Sequence, residues 1–292
     1  LPRRCVYTVL TGGYETLNEQ AVAAESSLPF ICLTDDPALR SDTWEIRVIT
    51  PMFAADPIRS QRAAKLLAAF YLPDFDASLY IDNSVRLLVA PDILFEEYAG
   101  RAGLCLPLHS FRDTLLDEFL AVAEDGLDDP RRIAAQLEDY RAAFPEILEQ
   151  KPAWSAVMLR DHRDSKVTAA MQIWFAHLCR YSRRDQLSNL VAFHLAGLQP
   201  LFLDIDNHGS RFHSWPHATE RRAEARLWPA DDTAVEGRIL ALEVAFAAQR
   251  REVDELATRL EVLRHEHEVL LRSTTWRMME PVRRLGRWLR RS

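Results

Sequence analysis

Short β-rich runs recur through the first half of the chain, at Cys5 to Leu10, Pro29 to Leu33, Trp44 to Ile49, Ser78 to Ile81 and Gly103 to Leu106. Turn residues bound each run, and helix-like segments separate several of them. This alternation predicts an α/β fold with a large parallel component in its sheet. Between the third and fourth runs, Pro57 to Leu72 reads as one helix with Pro in its first turn and Ala63, Leu66, Leu67 and Phe70 on one face. A late extended run covers Pro200 to Asp204, after a helical pattern from Val167 to Tyr181.

The remaining organisation follows from charge and periodicity. Residues 113–150 are acidic and helix-rich, with a break at Asp128-Asp129-Pro130, and read as a solvated helical pair inserted at about 111–150. From Ile239 the pattern becomes heptads. Ile239, Phe246, Val253, Leu260 and His267 fill one seam position; Leu242, Gln249, Leu256, Leu263 and Leu270 fill the other. The expected layout is a catalytic-type domain over 1–215, a linker over 216–235, a coiled coil over 236–271 and a basic amphipathic tail over 272–292. The heptads predict a homodimer through a coiled coil, with a single long helix packed on its own domain as the alternative; the Arg- and Trp-bearing tail suits either peripheral contact with an anionic membrane surface or a disordered solubilising role.

Composition removes several functions. Lys and Arg total 36 against 43 Asp and Glu, so the net charge of -7 gives no reason to expect nucleic acid as a partner. The 4 cysteines are scattered without a CxxC pair, which fits a reducing, cytoplasmic compartment and excludes zinc-finger spacing. No apolar stretch reaches the ~20 residues that span a bilayer. A P-loop and a Gly-x-Ser-x-Gly elbow are both missing from the sequence.

The strand ending in Tyr80-Ile81-Asp82-Asn83-Ser84 places a carboxylate and a hydroxyl at a sheet's carboxyl edge, where open α/β folds bind ligands. Such oxygen donors suit Mn²⁺ or Mg²⁺ with substrate phosphates completing the shell, and the same residues also suit a simple turn. The stretch resembles the Asp-x-Asp motif of GT-A glycosyltransferases, with Ser84 in place of the second acid. The likeness extends over Cys5 to Trp215 to a glycosyltransferase-like family with bacterial members and plant mucilage-related relatives.

That resemblance implies a GT-A fold, a mixed and mainly parallel sheet flanked by helices, and a set of site residues. Thr11, Gly12, Gly13 and Tyr14 match the nucleotide loop after the first strand; Asp35 and Asp36 match the acids that meet base or ribose. Arg59, Arg62 and Lys65 match the basic helix near the donor diphosphate. Arg59 is the expected phosphate contact, and Arg62 or Lys65 is expected in water. Trp154 lies in the acceptor-side strand, and Asp185-Gln186 begins a later helix. There Asp185 is either the catalytic carboxylate or a helix N-cap. His208 and His213 resemble the closing loop that adds a metal ligand beside Asp82 and Ser84. A Ser-Thr-Thr-Trp-Arg tail resembles those of bacterial polysaccharide glycosyltransferases. The implied activity is transfer of a sugar from a nucleotide-diphosphate donor, UDP-linked, to a glycan or lipid-linked acceptor with a divalent metal. Two rivals remain open from sequence: a degenerate, non-catalytic GT-A module on an oligomerising coiled coil, and a sugar nucleotidyltransferase.

Overall fold

A computed structural model describes residues 2–13, 15–219, 253, 255–269 and 272. It contains strands β1 (Arg4–Leu10), β2 (Phe30–Thr34), β3 (Glu45–Val48), β4 (Ala77–Ile81), β5 (Arg86–Leu87), β6 (Leu104–Pro107), β7 (Val157–Asp161), β8 (Leu201–Leu203) and β9 (His213–Ser214). The helices are α1 (Pro57–Leu66), α2 (Ala68–Tyr71), α3 (Asp92–Tyr98), α4 (Leu115–Glu124), α5 (Pro130–Ala143), α6 (Pro145–Leu148), α7 (Ser165–Arg180) and α8 (Asn189–Leu195). A 3-10 turn over Asp185–Leu187 connects α7 to α8.

The main sheet has the order β3-β2-β1-β4-β7-β6-β8, and β5 pairs with β9 in a separate ribbon. Within the main sheet β7 runs antiparallel to both β4 and β6, while the other pairings are parallel; the β5–β9 ribbon is antiparallel. Every strand of the main sheet but β7 therefore points the same way, and the carboxyl ends of β1, β2, β4, β6 and β8 share one edge. β1, β2, β4 and β6 bury both faces, which explains their unbroken apolar runs in sequence. This is the α/β fold with a large parallel component that the strand pattern predicted, and the mixed, mainly parallel sheet flanked by helices that the resemblance implied.

Two local expectations change. The single helix over 57–72 breaks at Leu67, whose backbone (φ −88°, ψ 44°) leaves the helical region between α1 and α2. The break rotates the second segment out of phase, so Phe70, expected on the buried face, is 72% exposed. The insertion over 111–150 is a packed layer and not a solvated pair. Its α4 starts in a capping box between Thr114 and Asp117, and Leu115, Phe119, Ile133, Leu137 and Tyr140 are buried. Asp128 accepts hydrogen bonds from Ser182 Oγ and Arg183 N, each at 2.7 Å. Gln136 donates to Ser188 Oγ at 2.9 Å. The layer thus clamps both sides of the Asp185 turn and shields it from water.

The chain divides into compact units at Leu1–Leu240 and Ala241–Ser292. In the second, residues 255–269 are helical, and Val253, Leu256, Leu260 and Leu263 of the heptad seam are exposed. The other seam residues Ile239, Leu242, Phe246, Gln249 and Leu270, and the tail from 273, lie outside the described residues. Residues 216–219, expected in the linker, are instead docked on the first unit: His217 N donates to Ser84 O and Thr16 N to Thr219 O, each at 2.8 Å. No helix among the described residues is long and apolar enough to cross a membrane.

Candidate functional site

The carboxyl edge of β4 carries the chemistry expected of it, arranged differently from the sequence expectation. Asp82 leaves the sheet with its side chain 30% exposed. Its Oδ1 accepts from Tyr80 Oη at 2.5 Å, and Lys65 Nζ approaches the same atom at 3.4 Å. Lys65 is 0% exposed. Its ammonium lies 2.6 Å from Asp185 Oδ2 and donates to Ser155 Oγ at 3.1 Å, with the Tyr80 ring centroid 4.8 Å away. Ser155 Oγ donates in turn to Asp185 Oδ2 at 2.9 Å, and Arg62 Nε stands 3.6 Å from Asp185 Oδ1. Two cations and two carboxylates therefore form one buried cluster that reaches solvent at Asp82.

Burial alone would raise the Asp185 pKa, but the charges of Arg62 and Lys65 outweigh it and hold the carboxyl well below the usual range. Trp174 Nε1 fixes the Asp185 carbonyl at 2.7 Å. No side-chain N-cap hydrogen bond comes from Arg184, the cap position of this 3-10 turn. Asp185 itself points into the cluster. A carboxylate with both oxygens engaged by cations, in a turn covered by helices, suits positioning Lys65 better than taking a proton from a substrate hydroxyl.

The basic helix reverses its expected roles. Lys65 and Arg62 face the cluster because α1 packs against β1 and α7 with Ala63, Ala64 and Leu66 in its buried face. Arg59 is committed elsewhere: Nε donates to Leu178 O at 2.9 Å and Nη2 to Tyr181 O at 3.1 Å, while Nη1 pairs with Asp56 at 2.5 Å. It fastens the first turn of α1 to the carbonyls that end α7, a favourable place for a cation.

On the other side of Asp82, the loop after β1 turns through Gly12 (φ 78°) and Gly13 (φ 61°), conformations that favour glycine. The Gly12 amide donates to both Asp35 oxygens at 3.0 Å, so this amide and this carboxylate hold each other. Thr11 Oγ1 donates to Pro57 O at 2.7 Å. Between the ends of β1 and β2 lies a shallow recess lined by Leu10, Thr11, Gly13, Thr34, Asp36 and Leu39, among others, with a cavity volume of about 30 Å³. That is well below the roughly 300–1,000 Å³ of small-molecule pockets, so a ligand here would lie across the recess and not inside it. Tyr14 lies outside the described residues.

Asn83 joins this loop to the strand end. Its Oδ1 accepts from Asn18 N at 2.8 Å, its Nδ2 donates to Thr16 O at 2.9 Å, and its carbonyl accepts from Asn18 Nδ2 at 2.9 Å. Asn18 Nδ2 also reaches Ala218 O at 3.1 Å. No spacing in the sequence pointed to Asn18, and nothing singled out Ser155 beside Trp154.

The residues expected to hold Mn²⁺ or Mg²⁺ are not brought together as a protein ligand set among the described residues. Ser84 Oγ accepts from Trp215 Nε1 at 3.0 Å. Both His213 ring nitrogens are used inside their own loop, with Ser210 Oγ at 2.9 Å and Asn207 O at 3.1 Å. His208 packs beside the rings of Phe111 and Trp215. Among the described residues no three His, Cys, Asp or Glu side chains converge to hold a metal ion. Asp82 is left as a lone carboxylate whose charge Lys65 already meets. Trp154, expected at the substrate, is buried and packs edge-on to Trp215 at 5.5 Å. Gln186 lies 3.2 Å from His109 Nε2, a ring that burial keeps neutral by lowering its pKa to about 4.

A family model described as the TOD1/MUCI70, glycosyltransferase-like domain matches residues 31–208, and the chain belongs to this family. A probable hexosyltransferase MUCI70 of Arabidopsis thaliana is 26% identical over 200 residues, covering 64% of this chain and 34% of the relative. The chain thus spans about a third of that relative's length. Among solved structures, the apo WbbM bifunctional glycosyltransferase aligns with a TM-score of 0.42 at 9% identity, covering 69% of this chain and 39% of that one. Mouse xyloside xylosyltransferase 1, apo form, aligns with a TM-score of 0.41 at 12% identity, covering 69% and 85%.

Proposed function

We propose that this glycosyltransferase-like domain transfers a sugar from a nucleotide-diphosphate donor, UDP-linked, to a glycan or lipid-linked acceptor in cell-surface polysaccharide synthesis. The observation that carries the reading is the partly exposed Asp82 carboxylate backed by the Lys65–Asp185–Arg62 cluster, on the same sheet edge as the recess between β1 and β2. The base and ribose would lie across this shallow recess. The acceptor oxygen would bond to the anomeric carbon as the bond from that carbon to the diphosphate oxygen breaks, the electron pair leaving with the diphosphate. Asp82, whose Oδ2 has no hydrogen-bond partner among the described residues, is the carboxylate placed to take the acceptor proton. Arg62 and Lys65 supply fixed positive charge that offsets the charge developing on the leaving group, and no step in this reading passes through a metal.

The unpartnered seam of Val253, Leu256, Leu260 and Leu263 supports the further proposal of a homodimer held by the C-terminal helix.

The test is to incubate the protein with a panel of nucleotide sugars and measure nucleotide binding and release, with Asp82→Ala as the control. Release that depends on Asp82 supports the reading. Binding without release in the presence of acceptors would favour the non-catalytic module, and no nucleotide binding at all would sink the proposal.

A further inference from the structure

We infer that an aromatic shelf beside the strand end, built from Phe111, His208 and Trp215, is the acceptor subsite and takes a neutral pyranose ring; this rests on the glycosyl-transfer reading above.

The shelf is preformed. The Phe111 and Trp215 rings are near-parallel (9°) with centroids 6.1 Å apart, and the His208 ring lies 5.4 Å from Phe111 and 5.5 Å from Trp215. Trp215 is braced edge-on by buried Trp154, and its indole N–H is fixed on Ser84 Oγ. One ring of the shelf is therefore tied two residues from Asp82. The loop bearing Phe111 is clasped to the loop bearing His208 by Asn207, which is 0% exposed. Its Oδ1 accepts from Ser110 N at 2.7 Å, its amide donates to Ser110 Oγ at 2.8 Å, and its Nδ2 donates to Leu108 O at 2.8 Å. Yet Phe111 stays 41% exposed. A rigidly supported, solvent-facing aromatic is a recognition feature more than a packing one.

The occupant follows from what surrounds the shelf. A recess of about 450 Å³ opens at the carboxyl ends of β6 and β8, lined in part by Ser110, Lys151, Asp204 and Asp206. These lie on the same sheet edge as Asp82. A hydroxyl and two carboxylates accept hydrogen bonds from sugar hydroxyls while an aromatic face covers the apolar C–H side of the ring. A bare lipid chain would leave the exposed Asp204 carboxylate without a ligand partner, whereas Asp206 is already held by the His208 amide at 2.7 Å. A phosphate-bearing head group would meet two acids and Lys151, while Arg112, 5.2 Å from the Phe111 ring centroid, already pairs with Glu118 at 3.2 Å, an unfavourable match. The mixed chemistry selects an uncharged carbohydrate.

The experiment is saturation-transfer NMR on the full chain with a panel of neutral oligosaccharides of gluco-, galacto- and manno-configuration and, in a separate arm, a short-chain polyprenyl phosphate. UDP binding is measured on the same samples. The expected result is transfer to a neutral sugar that Phe111→Ala weakens by about tenfold and Phe111→Tyr restores, with UDP affinity unchanged within about twofold. Sugar binding indifferent to Phe111, binding of the polyprenyl phosphate alone, or no sugar binding while UDP binds would each overturn the inference. Phe111-dependent sugar binding with no UDP binding would uphold the shelf as a sugar subsite and defeat the transferase reading instead.

Discussion

Lys65 Nζ lies 2.6 Å from Asp185 Oδ2, and both side chains are almost wholly shielded from water. A buried ion pair of this kind is costly to break from one side, because the remaining charge has no solvent to turn to. Lys65→Met should lower stability by about 3–5 kcal/mol in urea denaturation, whereas Lys65→Arg, which keeps the charge, should lose less. Equal losses in the two variants would show that the pair contributes through shape alone.

Acid should expose the same pair. Asp185 has its folded pKa depressed well below its ordinary value of 3.8. Its contribution to stability is therefore complete above that value and is lost as pH falls from there towards the folded pKa. Urea midpoints measured between about pH 5 and pH 2.5 should fall steeply in the native protein and less steeply in Asp185→Asn, which cannot titrate. Parallel slopes would mean that other carboxylates dominate acid unfolding.

Arg59 separates the sequence expectation from the structural one. If its work is to tie α1 to the end of α7, Arg59→Ala should cost about 1–3 kcal/mol of stability and leave UDP affinity within about threefold. A large loss of UDP affinity with unchanged stability would restore Arg59 as a phosphate contact.

The metal question has a direct readout. With Asp82 facing Lys65 and with Ser84, His208 and His213 engaged elsewhere, EDTA should change UDP affinity by no more than about threefold, as measured by calorimetry. UDP binding that requires Mn²⁺ would mean that the strand end rearranges around a cation.

The architecture was legible wherever it depended on residues close in sequence. Strand runs such as Phe30 to Thr34 bury both faces and so announce themselves as apolar stretches, and Asp82 could be placed at a strand end from its neighbours alone. The site was less legible because its geometry depends on long-range packing. Helical spacing could not tell which of Arg59, Arg62 and Lys65 turns inward, since that choice is set by the docking of α1 on β1 and α7. The insertion over 111–150 looked solvated because its acids are numerous, yet Asp128 is one that faces inward and secures the turn holding Asp185. The histidines of the closing loop carried the right chemistry for a metal, but Ser210 and Asn207 already occupy the His213 ring.

The Asn83 contacts carry one more consequence. Through Asn18 they bind together stretches of chain up to 200 residues apart in sequence, so the loop after β1 should not have a melting transition of its own. Loosening it requires separating the start of the domain from its end. The ordering cost of that loop is met during folding, and the amide of Asn18 should exchange with deuterium at the pace of global unfolding and not that of a surface loop.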